Sequence, residues 1–294
     1  MKHMHVGAFI MVLAGSLIVC CSAGLAQIQI PPELRAGNVK VDYLEPRDPG
    51  AGNTKDYANY KRYQAIYDRM KKREVLEEYA AFLSPLRLPV ALRVRTQECG
   101  VSNAFYEPSE WTIKYCYEYL DEVEAIAPKT ATAGFSREEV IVGEFLMTLL
   151  HETGHAMNDI FKLPVLGREE DAADDMAAFV SLQFGPQVAR TAIKGDVFYW
   201  FTAAQRGPSP RWDEHSTSAQ RLANMLCIGY GGAPDTFKDM IEKNWLPKDR
   251  IPTCARQYQR LRLAFRKTML PHIDPDLLKK VQSITWLAPG DGKW

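Results

Sequence analysis

The sequence has no excess of charge of either sign: 36 lysines and arginines stand against 36 aspartates and glutamates. That balance offers no electrostatic grip on nucleic acid or an anionic membrane surface, so no nucleic-acid partner is expected. Beyond the N-terminus no apolar run approaches the roughly 18 residues of a membrane span, which excludes a transmembrane segment from the expected mature chain. Internal repeats and low-complexity tracts are absent too, so repeat architectures drop out. Cysteine is scarce, six residues with no CxxC spacing, which sets aside a zinc site built on cysteine pairs.

The N-terminus carries the one long apolar run. Lys2, His3 and His5 precede Val6 to Val19, and small residues from Ser22 to Ala26 close the run. This is the pattern of a secretory signal peptide over residues 1–26, cleaved after Ala26, so an exported protein, periplasmic or secreted, is expected. Cys20 invites lipoprotein anchoring, but Val19 before it is a poor fit to the small residue such a site wants. Cleavage removes Cys20 and Cys21 and leaves Cys99, Cys116, Cys227 and Cys254. An even number in an exported chain points to two disulfides. Of the three connectivities, Cys99–Cys116 and Cys227–Cys254 are chosen because each closes a short loop around a motif.

Residues 27–56 form a Pro/Gly-rich segment with one expected strand at Val39 to Leu44. Composition and position raise the hypothesis that residues 28–53 cover the cleft as an inhibitory segment. Residues 57–294 are then one domain. Its first element is a long amphipathic helix from Tyr57 to Leu83, with Tyr60, Tyr63, Ile66, Tyr67 and Met70 at helical spacing. Strands are expected at Val90 to Thr96, Ser102 to Tyr106 and Thr112 to Tyr117. From Glu138 onward the pattern is almost wholly helical, giving an α+β layout: a small N-terminal sheet followed by helices.

Chemistry concentrates in His151-Glu152-Thr153-Gly154-His155, an HExxH motif. It follows an apolar-periodic stretch suited to a buried helix, with Val140, Ile141, Phe145, Leu146, Leu149 and Leu150. Residues four apart share a helix face, so His151 and His155 can offer two imidazoles to one metal ion. A catalytic zinc needs a third protein ligand and an open position for water. Glu170, on a helix expected from Glu169 to Phe184, is the natural third ligand. Asp174, one turn on, could accept the spare ring N–H of a histidine. HExxH alone is weak evidence, and an acidic first turn would by itself account for Glu169, Glu170 and Asp171.

HExxH followed by ExxxD resembles the gluzincin metallopeptidases, the thermolysin-like group, although the gap before the glutamate is shorter than in thermolysin. The resemblance implies a zincin-like fold and one Zn2+ per chain. It implies His151, His155 and Glu170 as ligands, Glu152 as general base and Asp174 as support for a histidine. Asn103-Ala104-Phe105-Tyr106 is similar to the edge strand that pairs with substrate backbone in those enzymes, so Asn103 and Ala104 are expected to bind substrate at the cleft. Downstream, His215 is the expected oxyanion donor, with Tyr230 behind it and Arg221 as an orienting group. The bland alternative is that Asp213 or Ser216 caps a helix from Thr217 to Ile228. From about residue 60 to 265 the chain resembles a bacterial family described only as candidate metallopeptidases. The expected function is zinc-dependent hydrolysis of peptide bonds in a peptide or protein substrate. A catalytically silent zinc-binding envelope module and a zinc amidase acting on cell-wall peptides are the alternatives.

Overall fold

The computed structural model describes residues 30–287, apart from 36, 51, 53, 133 and 208–211. The expected signal peptide and Cys20 lie outside the described residues. Four strands, β1 (Val39–Tyr43), β2 (Leu92–Gln97), β3 (Ala104–Glu107) and β4 (Thr112–Cys116), form one mixed sheet in the order β1-β2-β4-β3. The first three in that order run parallel, and β3 pairs antiparallel with β4 at the edge. Residues along β2 alternate in burial: Leu92, Val94 and Thr96 face the core, while Arg93 and Arg95 reach out to Asp42 on β1.

Helices make up most of the rest. The connection from β1 to β2 is α1 (Thr54–Lys72) and α2 (Val75–Phe82). The single helix expected from Tyr57 to Leu83 is therefore two, broken at Glu74, which adopts a left-handed φ of 53°. The break is anchored by Tyr43, whose hydroxyl oxygen accepts from the Leu76 amide at 2.8 Å and whose proton goes to Glu77 at 2.6 Å. That satisfies an amide of the first turn that has no partner within the helix. A further helix, α3 (Tyr117–Ile126), leaves β4 without a turn and was not expected.

The core is organised around α4 (Arg137–Ile160), whose N-terminus is closed by a capping box between Ser136 and Glu139. Against it pack α5 (Glu169–Ser181) and α6 (Pro186–Gln205). Next come α7 (Ser218–Gly232), α8 (Pro234–Glu242), α9 (Ile251–Thr268) and α10 (Pro275–Gln282). Disulfides join Cys99 to Cys116, beside the sheet, and Cys227 to Cys254, between α7 and α9. This is an α+β protein with a small mixed sheet and mainly helical content.

The hypothesis of an inhibitory cover over residues 28–53 needs correcting for the residues described. Its strand β1 forms the sheet edge opposite β3, and none of the described residues of the segment lines the cleft. Hydrogen bonding to β2 holds it away. Among the described residues no helix is long and apolar enough to cross a membrane.

Candidate metal centre

A cleft of about 1470 Å³ opens between β3, α4, α5 and the loop that precedes α7. His151, Glu152 and His155 lie on one stretch of α4, presented by a helix that is fixed from below. Buried Tyr79 of α2 donates to the Leu149 carbonyl at 2.8 Å and lies 2.7 Å from the Thr153 hydroxyl. At Gly154 the next helix comes very close: a Cβ there would lie 2.9 Å from Ala173 Cα. That contact brings the start of α5 beside HExxH, so Glu169, Glu170 and Asp174 all face the histidines.

Three histidines then share one arrangement. His151 Nδ1 is 2.8 Å from Asp174 Oδ1, His155 Nδ1 is 3.0 Å from Glu169 Oε1, and His215 Nδ1 is 2.9 Å from Asp213 Oδ1. With each Nδ1 held by a carboxylate, each Nε2 is turned inward. The His151, His155 and His215 Nε2 atoms lie 3.2, 3.5 and 2.9 Å from the same oxygen, Glu170 Oε2. That oxygen is buried, yet no donor is aligned to hydrogen-bond it. The two α4 nitrogens are themselves 3.1 Å apart. A cluster of imidazole nitrogens around an unsatisfied carboxylate oxygen is the donor set a divalent cation takes, and carboxylates behind the histidines fix their tautomers.

Two groupings of donors are close enough to hold a cation among the described residues: His151, Glu170 and His215, and Cys99, Cys116 and Glu118. The second is consumed by its disulfide. His155 joins the first through the distances above. The residues that could hold a metal are thus His151, His155 and Glu170, with His215 also in reach from its loop.

Electrostatics follow the geometry. Burial pushes Glu170 upward, but the three histidines outweigh it and hold its carboxyl far below the usual range. Burial also pushes Asp174 up, while the His151 hydrogen bond and the Arg221 guanidinium pull it below an ordinary aspartate. Arg221 Nε donates to Asp174 Oδ2 at 2.7 Å and a terminal nitrogen binds Oδ1, so Arg221 anchors Asp174 rather than orienting His215. Glu152 is raised above an ordinary glutamate by burial, against the pull of His151 and His155.

The structure brings Asn103 and Ala104 to the cleft wall, at the start of the edge strand. His215 lies in the cleft as well. Tyr230 does not: it lies nine residues beyond Arg221 on α7, packed against the core, roughly 13 Å along the helix. The capping alternative is also corrected, because Thr217 caps α7 in a capping box with Gln220. Ser216 instead donates to Asp171 and accepts from Arg168. Glu169 and Asp213 are partners that sequence reasoning did not assign; their only signal was nearness to Glu170 and His215.

Residues 56–269, well over half of the chain, match the family described as "Putative metallopeptidase". The chain belongs to this family. Membership implies a metal cofactor, and the buried Glu170 oxygen ringed by imidazole nitrogens fits one. No curated protein and no solved structure matches the chain. In this member of the family the edge strand, the HExxH helix and the acidic start of α5 thus meet in one cleft.

Proposed function

We propose that the chain is an exported zinc-dependent metallopeptidase of gluzincin type, zincin-like in fold over residues 57–294. The observation that carries this reading is the convergence of His151, His155 and Glu170 on one point, with Glu152 beside them and an open strand edge opposite. Two imidazoles and a carboxylate suit zinc by ligand type. A zinc ion held there would polarise the scissile carbonyl and lower the pKa of a water toward neutrality.

The chain's own residues do the rest. Edge strand β3 takes an extended substrate backbone by adding it to the sheet, with Asn103 and Ala104 at the point of contact. Glu152, across the cleft from Tyr106 of the same strand, accepts the proton of the attacking water and passes it to the leaving amine. His215 stabilises the developing oxyanion: its side chain is 45% exposed, against 10% for His151, and sits on a loop rather than on the helix. His151 and His155 are preferred as ligands because one rigid helix face carries both. Asp174, Glu169 and Asp213 hold the three imidazoles in the tautomer that leaves Nε2 inward. A silent zinc-binding module would need the histidines and Glu170 but gains nothing from Glu152.

The test is Glu152→Gln, assayed on an unstructured protein and for bound zinc. Hydrolysis should fall by about 10²–10⁴-fold while one zinc per chain remains. Full activity in the variant would sink the mechanism.

A further inference from the structure

A buried acid pair with two unpartnered carboxylate oxygens lines the same cleft. Helices α4 and α6 cross with their backbones in contact. A Cβ on Gly143 would lie 2.0 Å from the Thr191 carbonyl oxygen, and one on Gly195 would lie 2.4 Å from the Glu144 amide nitrogen. The residue after each glycine therefore sits at the crossing: Glu144, 1% exposed, and Asp196, 4% exposed. Both line the cleft.

Each is half satisfied. Glu144 Oε1 accepts from the Tyr119 hydroxyl at 2.5 Å and the Thr148 hydroxyl at 3.2 Å. Asp196 Oδ1 accepts from Trp200 Nε1 at 2.9 Å. Glu144 Oε2 and Asp196 Oδ2 have no partner. Arg221, the cation that acts on both carboxyls, is already committed: it binds both Asp174 oxygens and lies over the Trp200 ring at 3.8 Å. Burial outweighs the pull of Arg221 and of the donated hydrogen bonds, raising Glu144 to about 7 and Asp196 well above an ordinary aspartate.

Proteins seldom bury carboxylates without a partner. A second metal is not what the described residues suggest, since no grouping of three His, Cys, Asp or Glu donors includes this pair. Position suggests another. Glu144 precedes His151 by seven residues on the same side of α4, roughly 10 Å along the helix from the metal centre. A long side chain leaving a backbone bound at the centre would run down α4 past Thr148 and end at the pair.

We propose that Glu144 and Asp196 form the floor of a side-chain subsite that takes the guanidinium or ammonium group of an arginine or lysine in the substrate. The two unpartnered oxygens accept its hydrogens, and the cation adds positive charge beside the pair. This assignment rests on the peptidase reading for its substrate but not for its ligand chemistry, so the two can fail separately.

Peptides varied among arginine, lysine, norleucine and glutamate at each position flanking a single scissile bond test it with zinc-loaded wild type and E144Q/D196N. In wild type, kcat/KM for a basic residue at one position should exceed that for norleucine by at least about tenfold, and the ratio should collapse toward one in the variant. Hydrolysis without that preference overturns the subsite and leaves the peptidase reading standing. A second readout needs no turnover: N-acetyl-arginine methylamide should bind zinc-loaded Glu152→Gln by calorimetry, while the norleucine analogue should not. Probe binding without hydrolysis of any peptide by wild type would keep the subsite and remove the peptidase reading. If the arginine probe does not bind, and E144Q/D196N melts well below wild type, the pair is a structural one and the proposal fails.

Discussion

Each cleft histidine has its Nδ1 taken by a carboxylate, and that single feature decides where its Nε2 points. Asp174 has the most constrained position of the three carboxylates, since Arg221 grips it from the other side. Asp174→Asn keeps the shape but weakens the acceptor and frees Arg221. Zinc affinity should drop about 10- to 100-fold, as removal of such a supporting partner typically does, measured by chelator competition. His151, Glu152, His155 and Glu170 were legible in the sequence because their relation is set within one helix turn and the start of the next helix. Glu169, Asp213 and the true partner of Arg221 were not, because each depends on how helices approach in space. Tyr230 shows the limit of nearness in sequence: it follows His215 closely along the chain, yet α7 carries it away from the cleft and into the packing.

At the scale of elements, α4 is the centre, and its contact with α6 depends on two glycines that sequence alone marks only as weak points in a helix. Gly143→Ala would drive a methyl into the Thr191 carbonyl. A loss of about 1–3 kcal/mol is expected, readable as a lower denaturant midpoint at unchanged slope. A second link joins α6 to α8, where Arg190 forms a two-pronged pair with Asp239 at 2.9 Å on each oxygen. The Arg190 hydrogen bond, against a smaller effect of burial, lowers Asp239 from 3.8 to about 2. Its stabilisation is therefore fully present above the unfolded value and lost as pH falls through the folded one. Asp239→Asn should flatten the fall in stability between pH 4 and 2, and should cost about 1 kcal/mol or less at neutrality because the pair is only half-buried and partly screened by solvent. A variant whose acid limb matched wild type would remove this pair from the account. Strands and the two helices that carry the candidate metal ligands could be read from period and turn residues. The break at Glu74 could not, since neither glycine nor proline marks it, and α3 was missed because Tyr117 follows β4 without any turn residue between them.

Over the whole molecule, the family match spans residues 56–269 and so contains the cleft, both disulfides and most of the core. The disulfides are consistent with a protein that works in an oxidising compartment. One disulfide sits beside the edge strand and the other ties α7, which carries Arg221, to α9. The walls of the cleft are thereby fastened to the rest of the fold on both sides. A single cation held by His151, His155 and Glu170 is what the proposed chemistry requires, and metal content reports on it. Disulfide-bonded wild type and Glu170→Ala, both checked for folding by circular dichroism, should be equilibrated with zinc, desalted and analysed for metal. One zinc per chain in wild type, lost in Glu170→Ala, is the predicted result. Folded wild type that retains no metal, or a variant that retains it all, would contradict the account.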